Sequence, residues 1–244
     1  MAANPDPAPA AARARPTLRP SKRVVPASLA DRALTMLVVL ILIDVFLLAP
    51  LAELYGGSHA WSDLVFSAVL VLGALAIWGD LWLTDVFVAT GIISIAIRVA
   101  IILNPELQLR TWDASFAAIN FLLLTLLGLR RVFAPGRINL HRILGAIAVY
   151  LLMGLLFGQI FRLIACQFPH AFLMLGQPAS YEQIVPHLSY FSFVALTTLG
   201  FGDITPIHPF AKSFTLLAAV IGTLYPAVLI GRLVSQELIH NQSS

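Results

Sequence analysis

Charge is what this sequence is shortest of: Asp, Glu, Lys and Arg make up 11% of its 244 residues, against 59% that are hydrophobic. Soluble domains carry about a quarter charged residues, so the chain cannot clothe a large water-facing surface, and a bilayer is the solvent its composition requires. Cysteine is almost missing. The single Cys166 excludes an intrachain disulfide framework and a Cys-rich metal site, and its place in an apolar run reads as a buried free thiol. His59, His141, His170, His187, His208 and His240 are scattered in loops or near the ends of apolar runs, with no spacing that gathers metal ligands. No nucleophile and base stand in an arrangement that suggests an enzyme. There is also no short apolar run with a small-residue cleavage site near the start. The first apolar stretch begins around Ala33 and has spanning length, so the segment before it is expected to stay attached.

What the chain has instead is long apolar runs. A helix needs about 20 consecutive apolar residues to cross the hydrocarbon core. Runs near Ala33 to Glu53, Asp63 to Trp78, Leu83 to Leu103, Trp112 to Gly128, Ile143 to Gln167 and Ala211 to Val234 predict six crossings. Between the last two, Pro186 to Pro209 is too short and interrupted to cross, yet apolar enough to be a re-entrant element. The fold class expected is therefore an all-α membrane protein. Residues 1–32 are rich in Ala and Pro, carry Arg13, Arg15, Arg19, Lys22 and Arg23, and lack the apolar pattern of a core; they read as a disordered cytoplasmic tail. The loop from Arg130 and Arg131 through Arg137 to Arg142 is basic too, while Glu53 to Trp61 has no Lys or Arg. By the positive-inside rule both termini are cytoplasmic, the re-entrant stretch opens outward, and the protein is multi-pass in the plasma (inner) membrane. The acidic turnaround Gly79 to Asp85 runs against this pattern, but acidic residues weigh little in that rule. The net charge of +3 is explained by topology, with anionic lipid at Arg130, Arg131, Arg137 and Arg142 and without nucleic acid.

The re-entrant stretch contains Thr197-Thr198-Leu199-Gly200-Phe201-Gly202-Asp203, preceded by the apolar segment Tyr190 to Leu196, and it has no internal repeat. Carbonyls that all face one axis cannot come from an ordinary strand, in which successive residues alternate direction. Unusual backbone conformations are needed, and glycine adopts them cheaply. In this segment the chain resembles the potassium channel superfamily.

That resemblance implies a re-entrant pore helix and selectivity filter between the last two of six transmembrane helices. Backbone carbonyls of Thr198, Leu199, Gly200 and Phe201, with the Thr198 hydroxyl, would replace the water shell of K+, with Gly202 closing the run. Thr197, Tyr190, Phe191, Val194 and Asp203 would support it. Leu199 and Phe201 replace the commoner Val and Tyr of the family. Phe201 has no hydroxyl and Phe191 no donor, so both partners of a frequent filter-to-helix hydrogen bond are gone together and no polar group is orphaned. Tyr190 keeps a hydroxyl that can reach Asp203. Val194 stands where some bacterial members have a glutamate, so no carboxyl pair with Asp203 is expected. Downstream, Gly222 falls where the family has a hinge glycine, and Pro226 crowds and leaves unbonded the carbonyl four residues back, that of Gly222. A hinge is expected between them, with Thr223 facing the cavity. One pore loop per chain implies a homotetramer with three further copies, because a ring of carbonyls takes four. The only cofactor implied is potassium, as permeant ion.

On this reading residues 33–131 form a four-helix peripheral, sensor-like domain, 132–142 a cytoplasmic linker, 143–235 the pore domain and 236–244 a short cytoplasmic tail with no ligand-binding domain. Six spans with the pore in the last two resemble the voltage-gated branch, but Trp112 to Gly128 contains no Arg or Lys. A unit charge gains about 2.3 kcal/mol per 100 mV, so steep voltage gating needs several, and weak or no voltage sensitivity is expected. Asp44 and Arg98 lie deep in the first and third runs; either they pair, or Arg98 snorkels outward and Asp44 faces a wet crevice. The function expected is passive K+ conduction. The alternatives are a potassium uptake transporter, a non-conducting scaffold or regulatory subunit with a pore-like fold, and a weakly selective cation channel. The gating stimulus is not legible in the residues.

Overall fold

A computed structural model describes residues 36, 38–48, 51, 81–104, 109–133 and 140–242. The tail 1–32, the expected span Asp63 to Trp78 and Arg137 lie outside the described residues. An apolar helical segment, Val38–Leu47, runs into a π-helical turn at Asp44–Leu48. Three longer helices follow, α1 (Leu81–Leu103), α2 (Arg110–Val132) and α3 (Leu140–Gln167). Helix α2 carries Asp113 in its first turn and Arg130 and Arg131 in its last, each charge at the end of the helix dipole it favours. Its buried Ala114, Ala117, Phe121, Leu124 and Leu127 recur at helical spacing and form one face.

After α3 the chain forms a short loop domain that was not expected. Strands β1 (Phe172–Met174) and β2 (Gln177–Pro178) make a hairpin, followed by the single-turn helix α4 (Tyr181–Ile184), a 3-10 turn (Val185–His187), and the short helix α5 (Leu188–Leu196). Strand β3 (Ile204–Pro206) then leads into the long helix α6 (Pro209–Gln242). The strands form one antiparallel sheet in the order β2-β1-β3, with Phe172 opposite Pro206 and Met174 opposite Ile204. The chain is mostly helical, as expected, and this small sheet is added to the helices. A loop against the bilayer still has to satisfy its backbone, and the Leu175-Gly176 turn lets it do so by strand pairing. Helix α6 continues unbroken to Gln242, through residues read from sequence as a tail. Among the described residues three helices are long and apolar enough to cross a membrane, over 110–132, 142–167 and 209–232.

Two apolar clusters hold the helices together. One joins Phe157 and Phe161 of α3, Phe172 of β1, Phe191 and Leu196 of α5, and Ala211, Ala218 and Tyr225 of α6. The other joins Val38, Ile41 and Phe87 to Phe121 and Leu124 of α2 and to Ala148 and Leu152 of α3. Phe193 of α5 packs against both. Its ring fills the space over Gly154, where a Cβ would stand 2.3 Å from a ring carbon.

Several polar groups inside this apolar body bond to one another. Asn120 Nδ2 donates to Ser94 Oγ at 3.0 Å and to the Phe116 carbonyl, while Thr90 Oγ1 donates to Asn120 Oδ1 at 2.9 Å, which ties α1 to α2. The carboxylate of Asp113, 2% exposed, accepts from Arg98 Nε at 3.0 Å through one oxygen and from Arg162 Nη2 through the other. Arg98 is buried in this ion pair and does not snorkel outward. Its expected partner Asp44 has a side chain outside the described residues. Asp113 and Arg162 were not singled out in the sequence because each lies near a helix end, where a charge is unremarkable. At the opposite end of α2, Arg142 Nε and Arg232 Nη1 both donate to the Val132 carbonyl, at 3.2 and 3.3 Å, so Arg142 has a partner within the chain. Removing one member of a buried ion pair costs about 3–5 kcal/mol. Asp113→Ala is therefore expected to lower the thermal midpoint of the purified protein sharply, whereas Glu182→Ala, which breaks the exposed pair with Arg110, should cost no more than about 1 kcal/mol.

Candidate functional site

The site begins where α5 ends. Thr197 caps the helix, the Thr198 amide donates to the Ala195 carbonyl at 3.1 Å, and the Leu199 amide donates to the Val194 carbonyl at 3.0 Å. These two bonds are the nested pair of a Schellman motif, which requires a left-handed residue at its first position past the cap. That residue is normally glycine; here it is Thr198, at φ 59°. A β-branched residue in that region is an outlier, held by its surroundings at a cost of about 1–2 kcal/mol. The Thr198 hydroxyl donates to the Thr197 carbonyl at 2.7 Å, and the Thr197 hydroxyl donates back to the Phe193 carbonyl at 2.6 Å.

From Thr198 onward the backbone alternates. Thr198, Gly200 and Gly202 have φ of 59°, 60° and 82°, while Leu199 and Phe201 between them are not left-handed. A left-handed residue at every second position breaks the regular alternation of peptide direction that an ordinary strand would have. A Cβ at Gly200 or Gly202 would meet nothing within 4 Å in the subunit. Glycine is needed at both positions for its φ, not for space. The segment is neither helix nor strand, and it lies open, with Leu199 60% and Phe201 64% exposed in the single chain.

Around it, Phe191 is buried against Phe161 and Phe172, with ring centroids 5.0 and 5.6 Å apart. Val194 is buried and places no carboxyl near Asp203. The Tyr190 phenol lies beside the Asp203 carboxylate; desolvation first, and then interaction with that carboxylate, raises it above its ordinary value. The Asp203 carbonyl accepts from the Leu175 amide at 2.8 Å. Leu175 and Gly176, at φ 49° and 78°, form the hairpin tip, both left-handed as a type I′ turn demands. Phe172 and Leu175 are absent from the sequence reading. A glycine at the second place of a two-residue turn was the signal available for them.

Gly222 sits in the unbroken helix α6, packed on the end of α5: a Cβ there would stand 1.7 Å from the Leu196 carbonyl oxygen. Pro226 lies one turn on within the same helix, and Thr223 is exposed, its hydroxyl bonded back to the Ala219 and Val220 carbonyls. Cys166 is half-buried. Among the described residues no group of three His, Cys, Asp or Glu could hold a metal ion through side chains.

Comparison with the curated proteins and with the solved structures gives no match. Residues 149–236, which run from α3 through the α5 turn into α6, match the model of a family described as an ion channel. That match covers the segment that carries the left-handed alternation, and over those residues the chain is similar to ion channels.

Proposed function

We propose that four copies of this chain form a passive, potassium-selective channel, with Thr198, Leu199, Gly200 and Phe201 presenting their carbonyls to a dehydrated K+ on the shared axis. The observation that carries the reading is the left-handed alternation at Thr198, Gly200 and Gly202. It is a conformation with no packing purpose inside one subunit, and it makes a row of oxygens. Helix α5 ends directly in this row and brings about half a negative elementary charge from its dipole. Leu199 and Phe201 are exposed, and of the three candidate spans α6 is the least buried, which fits a helix that still has subunit neighbours to meet. On this reading Thr197, Tyr190, Phe191, Val194 and Asp203 support the filter. The interior of α2 has no Arg or Lys, so voltage moves little charge in that helix.

Helix α6 has its softest turn at Gly222 to Pro226, where proline denies the Gly222 carbonyl its donor. The same glycine packs on the Leu196 carbonyl at the end of α5, so a bend there is felt at the start of the filter turn. Helix propensity alone makes Gly222→Ala stabilising by about 1 kcal/mol. The contact with a main-chain oxygen reverses that sign: the substitution is expected to destabilise by about 1–3 kcal/mol. Thermal unfolding of the purified variant distinguishes the two, and a gain in stability rules out the packing role.

The test of function is purified protein in planar bilayers with unequal KCl on the two sides and NaCl as competitor. Unitary currents that reverse at the potassium potential are expected. A reversal indifferent to K+ and Na+ indicates a weakly selective pore, and silence from assembled tetramers indicates a scaffold. Gly202→Ala, which forces a Cβ into φ 82° at about 1–2 kcal/mol per subunit, should assemble normally and lose K+ current.

A further inference from the structure

We infer that the hairpin Phe172 to Pro178 is an outer clamp on the filter, so that cation occupancy of the filter and order of the hairpin are linked. The inference rests on the filter reading above and assigns a role to residues outside it.

The pairing of β1 with β3 runs Phe172 to Pro206, Leu173 to Thr205 and Met174 to Ile204. The bond from the Leu175 amide to the Asp203 carbonyl continues the same register by one residue. The ladder therefore reaches the residue that follows Gly202, and the filter's outer end is the next residue of a sheet. The other end of this sheet is anchored in the core. Phe172 is 1% exposed and lies edge-on to both Phe161 of α3 and Phe191 of α5, with centroids 6.0 and 5.6 Å away. Ile204, on the paired strand, is buried in the same cluster. Two anchors thus hold Asp203: Tyr190 at its side chain and the hairpin tip at its main chain. With Phe at both 191 and 201 there is no hydroxyl-to-helix bond between those positions, so the main-chain anchor carries a larger share of the constraint.

The tip is built for the purpose. Leu175 holds a left-handed φ although it is not glycine, and it is 78% exposed, so packing does not explain its conformation. What the left-handed turn does is close the hairpin in two residues and leave the Leu175 amide free to donate outward to Asp203. If K+ binds only when Asp203 and Gly202 are held in place, binding must stabilise the ladder, and the ladder must favour binding to the same extent.

The test is amide hydrogen exchange by mass spectrometry on the intact, full-length oligomer, in KCl and in NaCl at equal ionic strength. Peptides covering 172–178 and 197–203 are followed together. The expected result is slower exchange of both in K+. Protection of 197–203 without protection of 172–178 overturns the clamp while leaving the filter intact. Absence of a K+ effect at 197–203 itself removes the filter reading, and the clamp with it. Gly176 gives an independent arm, because a Cβ there meets nothing within 4 Å and only its φ of 78° resists substitution. Gly176→Val is expected to lose the K+ protection of 197–203, and Gly176→Asn, which tolerates the left-handed region, to keep it. Equal K+ protection of 197–203 in the valine variant and the wild type overturns the inference.

Discussion

Everything at this site depends on how one short helix stops. When α5 runs out of residues its last carbonyls need donors, and the Thr198 and Leu199 amides supply them by folding back in a Schellman turn. That turn obliges Thr198 to be left-handed, and Gly200 and Gly202 repeat the conformation at every second residue. A common way of ending a helix is thereby extended into a segment that is left-handed at every second residue. The cost is a threonine where glycine would be cheaper, offset by hydroxyl bonds that run back into the helix end.

Such a segment has little of its own to keep it in place, since Leu199 and Phe201 are exposed in the single chain. Its inner end is fixed by hydrogen bonds to α5 and by the close approach of Gly222 to Leu196. Its outer end is fixed by Asp203, which Tyr190 meets through the side chain and the hairpin meets through the main chain. Where the phenylalanines at 191 and 201 remove a polar link, an aromatic cluster of Phe161, Phe172 and Phe191 holds the neighbouring strand and helix by packing. Apolar contacts of this kind exact no desolvation penalty, but they position a strand and not an atom; the atom-level placement falls to the Leu175 amide.

The helices outside this core are bound to it through few polar groups, each at a site where the bilayer would penalise an unpaired one. Asp113 at the start of α2 bridges Arg98 of α1 and Arg162 of α3, and Asn120 binds Thr90 and Ser94 in mid-helix. At the far end of α2 the Val132 carbonyl collects Arg142 and Arg232, from α3 and α6. Movement of α2 relative to α3 would have to break charge contacts at both ends, and this couples the peripheral helices to the body that carries the site.

The sequence by itself determined that the chain belongs in a membrane, since 59% hydrophobic residues in long runs admit no other solvent, and it pointed to Gly200 and Gly202, because positive φ leaves a mark in residue type. It located α2, α3, α5 and α6 to within a few residues at most ends, through their apolar length. The sheet was not legible, because strands of two and three residues are too short to show a period, and their partners, Met174 and Ile204, are distant in the chain. Nor was the left-handed Thr198, whose conformation comes from the turn that encloses it. The partners of Arg98 and the closeness of Gly222 to Leu196 were decided only by the tertiary structure. Ion pairs and backbone contacts depend on which helices lie side by side, and a single chain of letters records the charge or the missing side chain but not its neighbour.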